Sequence, residues 1–423
     1  MRRINPKSKV KAENKPPVQK MAEQHIVKFD SPFYPVLDHL CFLSKNLYNT
    51  AIYTMRQAYF NNKGKLPENR EKLPSYYDLD KDKNEDYRAL QANWAQQTLM
   101  LAAETFNGYF KSLAAYKKDP SKFTGRPNLP NYLHKEKGRQ VLTLPQPMKE
   151  QDGVLPFPKE FGCFNVKRLV SYPAKSIRVV PGNRHYTVEI LYEVPAVDIK
   201  LDNGRYFGID LGVSNFATVV SNTGENPYII NGKGLKALNQ YWNKQNATYT
   251  AAAEIANGTK ETARLSRLVN NRNNAVKDFM HKASRKVIDS AIQSNISVIV
   301  IGKNIGWKSS CDMGKQSNQS FVQIPHTNFI NLLTYKAALA GIKVIVTEES
   351  HTSKTSFLDR EKPEHKDMYL GKRVYRGLYR SANGTLLNAD VNGACQILRK
   401  VFPGAFAEGI ADTWFCPVII NLV

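Results

Sequence analysis

Two short β-forming runs constrain this chain most. Ser297-Val298-Ile299-Val300-Ile301-Gly302 and Lys343-Val344-Ile345-Val346-Thr347 lack the polar–apolar alternation of a half-exposed strand. Runs of that kind belong to strands buried on both faces. A helix-like stretch, about 328–340, lies between them. Strand, helix, strand implies a parallel pairing and an α/β sheet. A third β-rich run, Tyr206 to Val220, follows the polar turn Asp202-Asn203-Gly204, and Tyr228–Asn231 reads as its partner strand. This run begins Gly208-Ile209-Asp210-Leu211-Gly212-Val213-Ser214-Asn215. An acid inside a strand is costly unless it is paired or binds metal. Flanking glycines let other groups approach the backbone closely. Asp210 is therefore either an outward surface residue or a carboxylate offered to a divalent cation.

The 423 residues suffice for two or three domains with real cores. Sixty Lys plus Arg against 37 Asp plus Glu give a net charge of +23, which points to a polyanionic partner, most simply nucleic acid. No apolar stretch of about 18 residues exists to span a bilayer, and the basic N-terminus lacks the apolar core of a signal peptide. The expectation is a cytoplasmic protein with no membrane partner. The five cysteines, at 41, 163, 311, 395 and 416, form no C-x-x-C pair. That argues against a zinc ribbon and a disulfide framework and predicts reduced, buried or incidental thiols.

Residues 1–20 read as a disordered basic arm. A short strand, Gln24 to Phe29, follows. Helical periodicity runs from Tyr34 to Tyr59, where Tyr48 and Arg56 mix aromatic and basic character, and again from Tyr87 to Tyr116. Lys117 to Lys137 is different: Pro120, Pro127 and Pro130 keep it extended, and Lys122, Phe123, Arg126 and Lys135 lie along it. Such a track suits phosphate and base contacts, though it also reads as a solvated linker. Strands are expected at 141–144, 166–170, 176–180 and 185–194. One early strand, a helical block (about 34–138) and several later strands suggest a small β-barrel with a helical insertion, over residues 21–200. Residues 201–423 form the second domain. There a long polar helical region, Leu235 to Ser294, carries Arg272, His281 and Lys282, and the chain closes with Asp390 opening a helix, 395–401.

A strand Asp (210), a late-helix Asp (390) and a Glu between them is the arrangement of RNase H-like nucleases. Two divalent ions held by such carboxylates activate a water and stabilise a leaving oxygen. Hard oxygen ligands without a Cys or His cluster favour Mg²⁺. Asp390 also reads as a helix N-cap.

Three segments, "GIDLGVSNFATVV", "VIVIGKNIGWKSS" and "NADVNGACQILRK", resemble the three RuvC motifs of TnpB, the OrfB nuclease of bacterial insertion sequences, which is similar to the compact type V CRISPR effectors. "LYNTAIYTMRQAYF", "KFTGRPNLPNY" and "HKASRKVIDSA" also look like family segments. The resemblance implies a multidomain α+β chain: a wedge barrel with a helical recognition insertion, then an RNase H-like RuvC domain with a small inserted lobe, about 352–386. It implies an RNA-guided endonuclease that binds a structured guide RNA, from a transposon end or a CRISPR array, reads a short target-adjacent motif, and cuts double-stranded DNA. The cofactor would be Mg²⁺, two ions, with Mn²⁺ as a substitute, and a monomer is favoured. Tyr48, Arg56, Lys122, Phe123, Arg126, Lys135, Arg272, His281, Lys282, Lys308, Arg373 and Arg376 are the candidate nucleic-acid contacts.

The chain departs from the family pattern twice. The usual Glu at the end of the second motif is replaced by Gly302. The next parallel strand, about 4.8 Å away, ends in Glu348-Glu349, and one of these can supply the acid. Successive side chains alternate faces, so one of the pair, with Glu349 favoured, would join Asp210 and Asp390. The lobe also lacks the four cysteines of a zinc ribbon, and His351 and His365 are too few, so no zinc is expected. The competing readings are an RNA-guided DNA-binding protein without cleavage and an unguided RNase H-like nuclease or transposase.

Overall fold

The computed structural model describes residues 17–303, 323–407 and 416–422. The chain divides into two compact units, Met1–Pro195 and Ala196–Val423. Both mix helices and strands.

The first unit contains β1 (Val18–Lys28), α1 (Tyr34–Asn61), α2 (Tyr76–Lys81), α3 (Glu85–Arg88), α4 (Ala92–Lys118), β2 (Leu142–Leu144), β3 (Val154–Pro156), β4 (Asn165–Lys167), β5 (Ala174–Gly182) and β6 (His185–Pro195). Apolar residues at helical spacing on α1 (Leu37, Leu40, Leu47, Ile52) and α4 (Trp94, Leu99, Phe106) meet Ile177, Val188 and Ile190 of the sheet in one core. The sheet runs β1-β6-β5-β2, with every pairing antiparallel. β3 and β4 form a separate hairpin. Among the described residues no pairing closes these strands into a barrel. The strand expected from Gln24 begins at Val18, inside the segment read as disordered, because β6 offers a full-length antiparallel partner as far as Pro195. The helical region from Tyr87 is two helices, broken where Gln91 turns extended.

A stripe of polar side chains on α1 pins the proline-containing track by its main chain. Lys45 Nζ donates to the Lys135 carbonyl (2.6 Å), and Arg56 Nη1 to that of Pro130 (2.6 Å). Asn49 both donates to Leu133 O and accepts from Leu133 N, at 2.9 Å each. Prolines remove donors from this segment, so its order comes from these side chains rather than from a ladder.

The second unit contains β7 (Tyr206–Leu211), β8 (Asn215–Ser221), β9 (Tyr228–Asn231), α5 (Lys233–Asn257), α6 (Ala263–Gln293), β10 (Val298–Gly302), α7 (His326–Leu339), β11 (Lys343–Thr347), β12 (Lys372–Tyr375), β13 (Leu378–Arg380), β14 (Leu386–Asn388), α8 (Ala389–Val401) and β15 (Val418–Ile420). Its main sheet has the order β11-β10-β7-β8-β9-β15. β10 lies parallel to both β7 and β11, whereas β7, β8 and β9 are antiparallel neighbours. Ile209, Ile299 and Ile301 face α6 and α7, whose Val287, Phe329 and Leu333 cover them. Val298 and Val300 face the opposite way, onto Ile397 and Leu398 of α8. Helices on both faces explain why β10 shows no alternation in sequence. The Tyr206–Val220 run is a hairpin rather than one strand, and the polar helical region breaks at Gly258, which caps α5 with φ 62°.

Gly208 makes the close contact of α8 with β7 possible. A Cβ there would lie 2.7 Å from the Ala394 carbonyl oxygen and 2.8 Å from Leu398 Cβ. Gly208→Ala is therefore expected to push helix and strand apart and to destabilise this unit by about 1–3 kcal/mol, as overpacking of a tight core does. Chemical unfolding followed by a probe in the second unit checks this, and an unchanged midpoint would refute the contact.

Candidate acidic site

The edge where β7, β10 and β11 end carries the acids. β10 and β11 are in register to their last pair, Gly302 with Thr347, and Lys303 N donates to Thr347 O at 2.8 Å. The two residues after Thr347 are Glu348, which is exposed, and Glu349, which is half-buried. A Cβ on Gly302 would stand 2.9 Å from Glu349 Oε2. The Glu349 carboxyl thus occupies the space that a side chain at position 302 would fill.

Asp210, the fifth residue of β7, keeps some exposure, but its carboxyl group is enclosed. The N-terminal end of α8 passes close over it: a Cβ on Gly393 would be 2.7 Å from Asp210 Oδ2. Asp390 sits in the first turn of that helix and is not the N-cap. Asn388 caps the helix, its Oδ1 accepting from Asp390 N (2.9 Å) and Val391 N (3.2 Å). Two further side chains fix the Asp390 carboxylate. Asn215 Nδ2, at the start of β8, donates to Oδ2 at 2.6 Å, and Arg373 Nη2, on β12, pairs with Oδ1 at 3.3 Å. Asn215 and Asn388 lie within the quoted motifs, but a sequence does not reveal which asparagine reaches which acid.

The electrostatics reflect this crowding. Burial, then the charges of Glu349 and Asp390, hold the Asp210 carboxyl far above the usual carboxylate range, against the opposing pull of Arg373 and the Leu211 N–H. Burial pushes Glu349 up to about 7, against the pull of Lys400. Acids that disfavour one another's charged form are the expected state of a cation site without its cation. Among the described residues no three His, Cys, Asp or Glu side chains are drawn in to metal-ligand distance as they stand. The donor set itself is entirely carboxylate oxygen, which fits a hard cation such as Mg²⁺ and gives a soft metal nothing to prefer.

The candidate nucleic-acid contacts divide. Tyr48 is buried in the first unit's core, packed there because it falls on the apolar face of α1, and it cannot meet a ligand. Arg272 is half-buried and already engaged. Its donors go to Asn239 Oδ1 (2.8 Å), Asn273 Oδ1 (3.0 Å) and the Gln323 carbonyl (2.9 Å), which makes it a brace within the second unit. Arg56 spends its guanidinium on Pro130 and lies 5.2 Å from the Tyr132 ring centre, so it shapes the track. Phe123 packs edge-on against Tyr116, 5.7 Å between centres. Lys122 pairs with Asp119 (3.2 Å), and Lys282 with Asp278 (2.8 Å), both exposed. Arg126 and Lys135 are exposed, as is Arg376 at the β12–β13 turn. His281 is half-buried; burial, then Lys336, lowers its proton affinity. Lys308 lies outside the described residues, as do Cys311 and most of the basic arm. Of the other cysteines, 41 and 395 are buried, whereas 163 and 416 are exposed, and all four are free thiols.

The lobe without cysteines is organised by a buried acid that sequence reasoning missed. Glu361 accepts from Ser356 N (2.7 Å) and Leu370 N (3.0 Å), and Lys366 lies 3.6 Å away. Three residues one turn apart on α8 grip the same loop. Asn392 exchanges hydrogen bonds with Thr355 O and Phe357 N (2.9 Å each), Gln396 donates to Glu361 O (3.0 Å), and Arg399 to Phe357 O (3.1 Å). The i, i+4, i+7 spacing was visible; the loop that answers it was not.

The class this fold and site define is a mixed α+β multidomain chain with an acidic centre on the strand ends of its second unit. Residues 189–308 match the OrfB_IS605 family model, described as a probable transposase, and residues 326–397 match that of the Cas12f1-like TNB domain. In these two segments the chain is similar to TnpB and to the compact type V effectors. It is 23% identical over 235 residues to a CRISPR-associated endodeoxyribonuclease Cas12f2 of Micrarchaeota archaeon (strain CG1_02_47_40), a match covering 52% of this chain and 41% of that protein's length. A cryo-EM structure of a Cas12f1-sgRNA-target DNA complex shares the fold with a TM-score of 0.51, at 15% identity, over 86% of this chain and 82% of that one.

If Glu349 is the third acid, Glu349→Ala is expected to slow guided DNA cleavage at least ~100-fold, and Glu348→Ala to cost far less. Adding Gly302→Glu to the Glu349→Ala chain is expected to rescue poorly, because a Cβ at 302 would also lie 2.5 Å from Ile397 Cδ1. Single-turnover rates on a matched duplex decide both; equal rates for the two single variants and the parent would remove Glu349 from the site. Elemental analysis of the purified protein is expected to return no stoichiometric zinc.

Proposed function

We propose that the chain is an RNA-guided DNA endonuclease, with Asp210, Glu349 and Asp390 holding Mg²⁺ at its cutting site. The observation that carries this reading is the Glu349 carboxyl over Gly302. An acid missing from one strand has its counterpart on the adjacent strand, aimed into the same space and close enough to raise Asp210. The strand order, with β10 and β11 parallel to β7 on one side and the antiparallel run β7-β8-β9 on the other, extended by β15, is that expected of an RNase H-like sheet. The net charge of +23 suits a guide RNA and a DNA target together, the partners named for the Cas12f1 relative.

When bound, Mg²⁺ supplies the positive charge that the attacked phosphodiester and its leaving oxygen require. The chain's own residues prepare the place. Asn215 holds Asp390 by its Oδ2. Gly208 and Gly393 let α8 carry that acid close above Asp210.

Asp210→Ala and Asp390→Ala are each expected to abolish cleavage while leaving RNA-dependent DNA binding nearly unchanged, since Lys and Arg contacts to phosphate supply the affinity. Cleavage in Mg²⁺ and binding by gel shift, both with the co-purified RNA, check this. A variant that cuts at the parental rate would overturn the site. A parent chain that binds guided DNA and never cuts would instead favour a guided DNA-binding protein.

A further inference from the structure

Arg373 brings the inserted lobe to the acidic site. It stands on β12, on a hairpin whose exposed Lys372, Arg376 and Arg380 make it strongly basic. Its guanidinium pairs with Asp390 Oδ1, while Asn215 holds Oδ2. Both oxygens of this acid are therefore engaged by side chains of the chain itself. The two partners differ in kind. The Asn215 bond is short, neutral and compatible with a cation on the same carboxylate. The Arg373 pair is longer, still 41% exposed at the arginine, and places a positive charge where a cation would be attracted. An exposed pair of this type is weak and easily exchanged. A phosphate offers the guanidinium an equally good bidentate partner.

We infer that Arg373 is an exchangeable latch: without nucleic acid it occupies Asp390, and a phosphate running along the β12–β13 hairpin draws it off, opening the acid to a divalent cation. Cation binding and strand binding are thereby coupled, each favouring the other, as two ligands that compete for one arginine's two positions must be. No bond is made or broken in the exchange; one ion pair replaces another. This rests on the assignment of Asp390 to the cation site proposed above.

The test is Mn²⁺ binding by the full-length protein, followed by electron paramagnetic resonance of the free ion, without nucleic acid. Arg373→Ala is expected to bind Mn²⁺ about three- to tenfold more tightly than the parent. Arg376→Ala, which removes the same charge from the turn of the same hairpin, is expected to match the parent. Phosphorothioate oligothymidylate, corrected for ions held by the oligonucleotide alone, is expected to close the gap between the parent and Arg373→Ala. Equal tightening by the two arginine variants would reduce the effect to general charge and overturn the latch. So would a gap that the oligonucleotide leaves unchanged. Asp390→Asn separates this inference from the reading beneath it. If that variant binds Mn²⁺ as the parent does, Asp390 is not a cation ligand and both fall. If it binds weakly while Arg373→Ala does not bind more tightly, the latch alone is wrong.

Discussion

Like charges gathered on one edge of a sheet repel, and the second unit is arranged around that repulsion. Two carboxylates a few ångströms apart oppose each other by one to several kcal/mol, depending on how much water reaches them. Three side chains temper this here: Asn215 and Arg373 at Asp390, and Lys400 near Glu349. The backbone does the rest. Parallel strands deliver their ends to the same edge, so acids far apart in sequence arrive together. Small residues at 208, 302 and 393 remove the Cβ atoms that would otherwise hold β7, Glu349 and α8 apart.

Much of this centre was legible in the sequence, for definable reasons. Unalternating runs at 297–302 and 343–347 meant strands buried on both faces, and strand–helix–strand meant parallel pairing. The two-residue period of a strand says that Glu348 and Glu349 face opposite ways but not which faces the acids; the fold leaves Glu349 half-buried beside Gly302 and Glu348 exposed. What the sequence hid depended on partners. Tyr48 looks like a base-stacking residue until helical phase places it in the core. Arg272 looks like a phosphate contact until Asn239 and the Gln323 carbonyl claim it. Composition counts the charges and says nothing of which are already spoken for. The barrel was read from the order of strands and helices and from the family resemblance, and neither fixes closure; among the described residues the pairing runs β1-β6-β5-β2.

In the cysteine-free lobe a buried side chain supplies local order. A buried carboxylate accepting two backbone N–H groups does for this loop some of what a tetrahedral ion does for others. Because Asn392, Gln396 and Arg399 lie on the helix that also carries Asp390, the loop's order and the acid's position rest on one rigid body. The proline-containing track in the first unit follows the same logic, its carbonyls answered by a stripe on α1.

The space above Gly302 is shared by two neighbours. A Cβ there would meet Ile397 Cδ1 at 2.5 Å and Glu349 Oε2 at 2.9 Å. The carboxyl end of Glu349 can swing aside, whereas Ile397 lies fully buried in the packing of α8 on the sheet. The bareness of position 302 is thus set more by the helix than by the acid. The acid's own placing is correspondingly tolerant, because a carboxyl held at the end of three rotatable bonds can follow whatever ligand draws it.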